Sequence, residues 1–249
     1  MQLNAIFFTG EYSITTRVLV VNGNNHLAKK TEIIDMENAD FECTKVQPFP
    51  ILLYGATGGL IADKIPFICG GFTDSENGSG WKTEQACYQL TEAGTWIEDQ
   101  TAILNEARGY LLGSVVYNNS ELVVSGGSGL KSIELISPNA KPRTLSAQLP
   151  KALFIQCTVA WDADTFMVIG GGNSDKTYLI NVKTNQVTNG PPLNIGRQSL
   201  GCAELEVSGS SHIVVSGGSS RGEVIQSTEV LDKNNIGLGW QKGKIRNNT

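Results

Sequence analysis

Four copies of a short apolar run ending in paired glycines divide this chain, and they limit what it can fold into more than any other feature. They are Lys64-Ile-Pro-Phe-Ile-Cys-Gly70-Gly71, Glu121-Leu-Val-Val-Ser-Gly126-Gly127, Phe166-Met-Val-Ile-Gly-Gly171-Gly172 and His212-Ile-Val-Val-Ser-Gly217-Gly218. Arg17-Val-Leu-Val-Val-Asn-Gly23 is a degenerate first copy. Such a run reads as a buried strand that stops where other backbone passes too close for a Cβ. Counted from Asn22, Gly70, Gly126, Gly171 and Gly217, successive copies lie 48, 56, 45 and 46 residues apart. Periods of this size mean a solenoid, a propeller or an array.

Each interval repeats one grammar of short strands and turns. Residues 17–22, Thr31–Asp35 and Phe41–Lys45 read as strands, then Pro48 and Pro50 break the run. Tyr54–Ile61 is a glycine-rich strand suited to a crowded axis, and later units follow suit, with a long loop over Phe72–Trp81 in the second. The repeat units run roughly 12–50, 51–104, 105–149, 150–193 and 194–249, and no helical periodicity intervenes. A four-stranded meander cannot bury both faces alone, so neighbours must stack on it, and a ring of stacked sheets protects their edges. The expected fold is all-β, a β-propeller of four-stranded antiparallel blades within a single domain, 1–249. About five blades are present, either closing as five or forming a fragment of a six- or seven-bladed ring.

After each glycine pair an aromatic or hydrophobic position follows (Tyr88, Ile133, Tyr178, Val230 beside Glu229), with a tryptophan farther on at Trp96 and Trp240. This pattern resembles the kelch repeat over most of the chain. Asn22-Gly23 departs from it, and two units of five keep the tryptophan. Tyr54-Gly-Ala-Thr-Gly-Gly59, Ile68-Cys-Gly-Gly71 and Cys87-Tyr88 are similar, more narrowly, to kelch proteins of invertebrate animals associated with secretion. The resemblance implies a propeller that presents loops on one face to a protein or glycan ligand, without enzymatic activity or cofactor. It also keeps open a galactose-oxidase-like or sialidase-like enzyme, and an intracellular adaptor of a ubiquitin ligase or an actin-binding module.

A net charge of −5 disfavours a nucleic-acid partner, which would ask for a basic stripe. No apolar run is long enough for a membrane helix. The five cysteines lack the spacing of a zinc or thioredoxin-type site. Cys69 and Cys87 fall on consecutive strands of one blade and are expected to bridge; Cys157 and Cys202, at equivalent inner-strand positions, read as buried thiols or as a pair across blades. Cys43 is then the odd one. Asn77, Asn118 and Asn247 head glycosylation sequons, as a secreted protein would use, although chance matches arise in chains rich in Asn and Ser. The expected location is extracellular, with the cytoplasm as the alternative.

Copper-radical chemistry needs histidine and tyrosine ligands around an open position, and the chain has two histidines, His26 and His212, one near each end. A sialidase needs an arginine cluster, and Arg108 and Arg197 precede successive inner strands. The kelch resemblance implies that these links share a face with the loops after the glycine pairs, so the arginines either cap strand ends or join Asp74, Trp81 and Arg221 there. That face is the candidate binding surface.

Overall fold

The computed structural model describes residues 5–7, 17–21, 29, 31–35, 44–74, 80–110 and 113–243. The first sheet holds β1 (Ala5–Phe7), β2 (Arg17–Val21), β3 (Thr31–Asp35) and β4 (Thr44–Lys45) in that order. The second holds β5 (Thr57–Ile61) and β6 (Ile65–Cys69), then β9 (Cys87–Leu90) and β10 (Trp96–Asp99). Between β6 and β9 a small hairpin projects, β7 (Phe72–Asp74) with β8 (Trp81–Thr83), so the loop expected there is partly strand. The third comprises β11 (Gly113–Tyr117), β12 (Glu121–Ser125), β13 (Ile133–Ile136) and β14 (Arg143–Thr144). The fourth comprises β15 (Cys157–Ala160), β16 (Thr165–Ile169), β17 (Thr177–Asn181) and β18 (Gln186–Asn189). The fifth follows β19 (Gly201–Val207) and β20 (Ser210–Ser216) with a second small hairpin, β21 (Ser219–Ser220) and β22 (Glu223–Val224), before β23 (Thr228–Asp232) and β24 (Gln241–Lys242). A short 3-10 helix, Lys233–Leu238, lies where the sequence suggests no helix.

All pairings within these sheets are antiparallel, as expected of propeller blades. Inner strands meet in chain order, β1 with β5, β5 with β11, β11 with β15 and β15 with β19; among the described residues the series is not closed into a ring. Alternation along each strand sends apolar side chains to both neighbours, so the core consists of seams between blades. Val123, Ile133 and Leu135 meet Phe166, Val168 and Ile180 between the third and fourth blades. Met167, Ile169 and Leu179 meet Ile213, Val215 and Leu231 between the fourth and fifth. Leu179 is partly buried, and each of the others contributes about 1.5–3 kcal/mol. The tryptophans of the repeat lock backward: Trp96 Nε1 donates to Thr31 Oγ1 of the first blade at 3.2 Å, and Trp240 Nε1 to the carbonyl of Pro191 at 2.9 Å.

The glycine pairs join each blade to the link that enters the next. The first glycine donates back to its own sheet, Gly70 to Ala86, Gly126 to Ser132, Gly170 to Lys176 and Gly217 to Ser227. The second donates across the seam, Gly71 to the carbonyl of Arg108, Gly127 to that of Leu153 and Gly171 to that of Arg197. These bonds correct the register of the fourth copy: the equivalent pair is Gly170–Gly171, and Gly172 is an extra glycine. At Gly126 both reasons for glycine coincide, because φ is 65° and a Cβ would lie 2.8 Å from the Leu153 carbonyl oxygen.

Candidate functional site

Arg108 and Arg197 sit in the links into the third and fifth blades, and the structure removes both from the candidate surface. Each is 0 % exposed. Arg108 holds Glu134 Oε1 at 3.1 Å from Nε and 2.7 Å from Nη2, while Nη1 donates to the carbonyls of Gly126 and Ser132 at 2.7 and 3.1 Å. Arg197 Nη2 meets Glu229 Oε1 at 2.6 Å, and Nη1 donates to the carbonyls of Gly217 and Ser227 at 3.0 and 2.9 Å. The backbone N–H groups of Asn105 and Asn194 donate to the second oxygens of Glu134 and Glu229, both at 2.7 Å. Buried charges are tolerated only when paired and hydrogen-bonded in this way, so these arginines fasten link to blade and are not free to meet a ligand.

The other links reveal the rule. Hydrogen bonding from the glycine pairs makes Leu153 equivalent to Arg108 and Arg197, and strand register makes Tyr178 equivalent to Glu134 and Glu229, opposite Val168, Val124 and Val215 respectively. Leu153 and Tyr178 share one buried cluster, and Leu53 and Tyr88 share another. Leu–Tyr fastenings in the second and fourth blades therefore alternate with Arg–Glu fastenings in the third and fifth.

Two residues beyond each of these positions the chain turns through a left-handed residue: Gly55 (φ 56°), Tyr110 (φ 66°), Ile155 (φ 57°) and Ser199 (φ 55°). The Ile155 N–H donates to the Tyr110 carbonyl and the Ser199 N–H to the Ile155 carbonyl, both at 3.0 Å, so successive links are tied to one another. A β-branched residue such as Ile155 is strained in this region and stays there only because its surroundings hold it.

Above these links lies a band of aromatic rings. Tyr54 meets Trp81 edge to face at 4.6 Å between centroids, Phe72 meets Tyr110 likewise at 4.6 Å, and Tyr110 meets Phe154 at 6.3 Å. An antiparallel bridge between Tyr54 and Phe72 joins the two parts. Trp81 is 60 % exposed, Tyr110 54 % and Phe154 39 %. Phe72 lies over Gly109, where any Cβ would collide with its ring, and Phe154 lies against Gly172. Burial, and then the charge of Asp74, raise the Tyr54 pKa, so its phenol keeps its proton at neutral pH. Of the remaining residues expected here, Asp74 pairs with Trp81 across the β7–β8 hairpin, and Arg221 turns the β21–β22 hairpin with its N–H donating to Asn173 Oδ1 at 2.9 Å. Sequence reasoning found Trp81 but not the band, since its five rings come from well-separated stretches; the aromatic residues beside Arg108 and Leu153 are the signal that was there to use.

Two disulfides are present. Cys69–Cys87 crosses directly between paired strands, with Cα atoms 4.1 Å apart. Cys157–Cys202 links the inner strands of the fourth and fifth blades, with Cα atoms 6.0 Å apart, which corrects the reading of buried thiols. Its place is held between the second and third blades by a Thr57–Ser114 hydrogen bond. Asn118 occupies the tight β11–β12 turn, exposed, with φ 48°. Asn77, Asn247, His26 and Cys43 lie outside the described residues.

No family model matches the chain, and no curated protein matches it by sequence. Among solved structures it is similar to a fungal alcohol oxidase of the AA5 family in complex with copper, with a TM-score of 0.67, 15 % identity and 92 % of this chain covered. It is also similar to YjhT, with a TM-score of 0.72, 13 % identity, 92 % of this chain and 81 % of YjhT covered. The chain has the fold of a kelch-like propeller. It spans about half of the oxidase, 51 % of that protein's length. The match corrects the expectation that the chain is not an enzyme, because a protein of similar fold is an alcohol oxidase.

Copper itself does not fit the described part of the kelch-like propeller. His212 lies toward the end of β20 away from Ser216 and its glycine pair, with Nδ1 2.9 Å from the Ser210 carbonyl oxygen. Among the described residues no three His, Cys, Asp or Glu side chains group as metal ligands do.

Proposed function

We propose that this kelch-like propeller recognises a protein or glycan ligand on the face that carries its glycine pairs. The aromatic band from Trp81 to Phe154 carries the reading: exposed, adjoining rings are costly to leave in water, and aromatic residues are the preferred anchors of recognition surfaces. Two disulfides support an oxidising, extracellular setting akin to that of secreted kelch proteins. No helix among the described residues is long and apolar enough to cross a membrane.

The test sets the Trp81→Ala/Tyr110→Ala double variant against Leu238→Ala, which lies on the exposed 3-10 helix of the fifth blade, in arrays of glycans and extracellular proteins. Binding lost in the double variant and kept in Leu238→Ala is expected; binding that survives the loss of both rings overturns the face. For native material, intact mass before and after glycosidase and reductant reports both the Asn118 glycan and the two bridges.

The fold shared with an alcohol oxidase favours a second reading, in which the ligand of this face is the substrate of an oxidase-like or sialidase-like propeller. The readings separate by turnover. Product from primary-alcohol sugars or from sialosides, lost in the double variant, would establish the enzyme.

A further inference from the structure

We infer that the ligand of this face is a neutral oligosaccharide, whose sugar rings stack along the aromatic band while their hydroxyls meet the polar groups beside it. This rests on the recognition reading above and adds the chemistry of the ligand.

Shape is the first argument. The band is two groups of rings, Tyr54 with Trp81 and Phe72 with Tyr110 and Phe154, joined by the Tyr54–Phe72 bridge, and within each group neighbouring rings lie 4.6 to 6.3 Å apart, the scale of a single sugar ring. A stable protein partner instead needs a compact patch of roughly 800 Å² per side with an apolar centre. Sugars present flat C–H faces fringed by hydroxyls, and an exposed indole or phenol offers a matching π-face with a polar handle at its rim.

Preorganisation is the second. Phe72 rests on Gly109 and Phe154 on Gly172, so these rings are set before any ligand arrives and little rotamer freedom is lost on binding.

The polar groups are the third. Tyr54 and Tyr110 carry hydroxyls that both donate and accept. The Tyr110–Phe154 pair brackets the seam between the links into the third and fourth blades; at the end of β12 and two residues after Phe154, Ser125 Oγ and Gln156 Oε1 find no hydrogen-bond partner among the described residues. Ser125 is fully buried and Gln156 nearly so, and Gln156 Nε2 is already committed to the Ser125 carbonyl at 2.7 Å. Both atoms are closed to solvent, so the hydroxyls of Tyr54 and Tyr110 are the polar groups that a sugar on the band meets first.

Charge decides between classes of glycan. Asp74 stands beside Trp81 at one end of the band and Arg221 is tied to Asn173 toward the Phe154 end, so the local charges oppose each other, while the chain's net −5 sets the overall field against an anionic sugar.

The experiment uses the full chain with its disulfides intact. Neutral gluco-, manno- and chito-oligosaccharides of increasing length, with a sialylated oligosaccharide as the anionic control, are titrated by calorimetry and by tryptophan fluorescence. One neutral series is expected to bind and to gain affinity with each added residue until the band is filled. Trp81→Ala and Tyr110→Ala should each weaken it about tenfold, a change of about 1.4 kcal/mol. Tyr110→Phe should keep most of the affinity, and Leu238→Ala all of it; thermal midpoints confirm that each variant is folded. No binding by any neutral series at millimolar concentration, or preference for the sialylated control, overturns the carbohydrate inference. If a protein ligand is lost in the same ring variants, the recognition face stands and the sugar alone falls. Glycan binding unchanged by both ring variants overturns the face and the inference together.

Discussion

Arg108 shows how a side chain's place can be legible in the sequence while its role stays open between two readings, capping strand ends or meeting a ligand. Its position before an inner strand is plain from the repeat, but whether it points outward depends on a partner two strands away, Glu134, which alternation alone does not single out. The pair is buried on both sides, so Arg108→Leu should leave a carboxylate without its counter-charge and cost about 3–5 kcal/mol in denaturant unfolding. The Leu–Tyr fastenings of neighbouring blades supply the rescue. Arg108→Leu with Glu134→Tyr should recover most of that loss, and a double variant no better than the single would refute the equivalence of the two fastenings. Tyr88 makes a separate prediction about pH. Burial first, then the charges of Glu98 and Glu84, push its phenol up to about 12. A raised pKa means the folded state favours the protonated form, so its contribution is intact below pH 10.0 and is lost as pH rises through about 12. Following tyrosinate absorbance during alkaline unfolding should show a late step that vanishes in Tyr88→Phe.

At the scale of elements, the glycine pairs made the strands and their order legible, because an apolar run closed by glycine has few other meanings. What they did not convey was register. Three glycines in succession, Gly170 to Gly172, offer two pairings, and hydrogen bonds to Lys176 and Arg197 choose between them. The same limit left the bridge between Cys157 and Cys202 as one of two readings: they are offset by one place within their strands, opposite Ile169 and Val215, and that offset turns one toward the next blade and the other back to meet it. This bridge closes 45 residues, so replacing both cysteines with serine should cost about 3–4 kcal/mol in thermal unfolding, and equal stability with and without it would refute the assignment. Gly126→Ala should cost about 1–3 kcal/mol, since it meets both an unfavourable φ and the Leu153 carbonyl; a neutral result would mean that the link moves freely.

Over the whole molecule, stability should be graded along the series of blades, since each sheet leans mainly on its neighbours. β12 and β16 are buried along almost their whole length, whereas β19 is exposed along most of its own. Hydrogen exchange should therefore protect β12 and β16 far longer than β19, and uniform protection across the three would contradict this gradient. The alternating fastenings bear on ancestry and engineering as well. Both halves of each lock, Leu53 with Tyr88, Arg108 with Glu134, Leu153 with Tyr178 and Arg197 with Glu229, reside in one stretch made of a link and the sheet that follows it. A gene segment cut ahead of the link travels with its own key, and can be duplicated, shuffled or grafted beside either kind of neighbour; one cut between link and sheet would strand an arginine against a tyrosine.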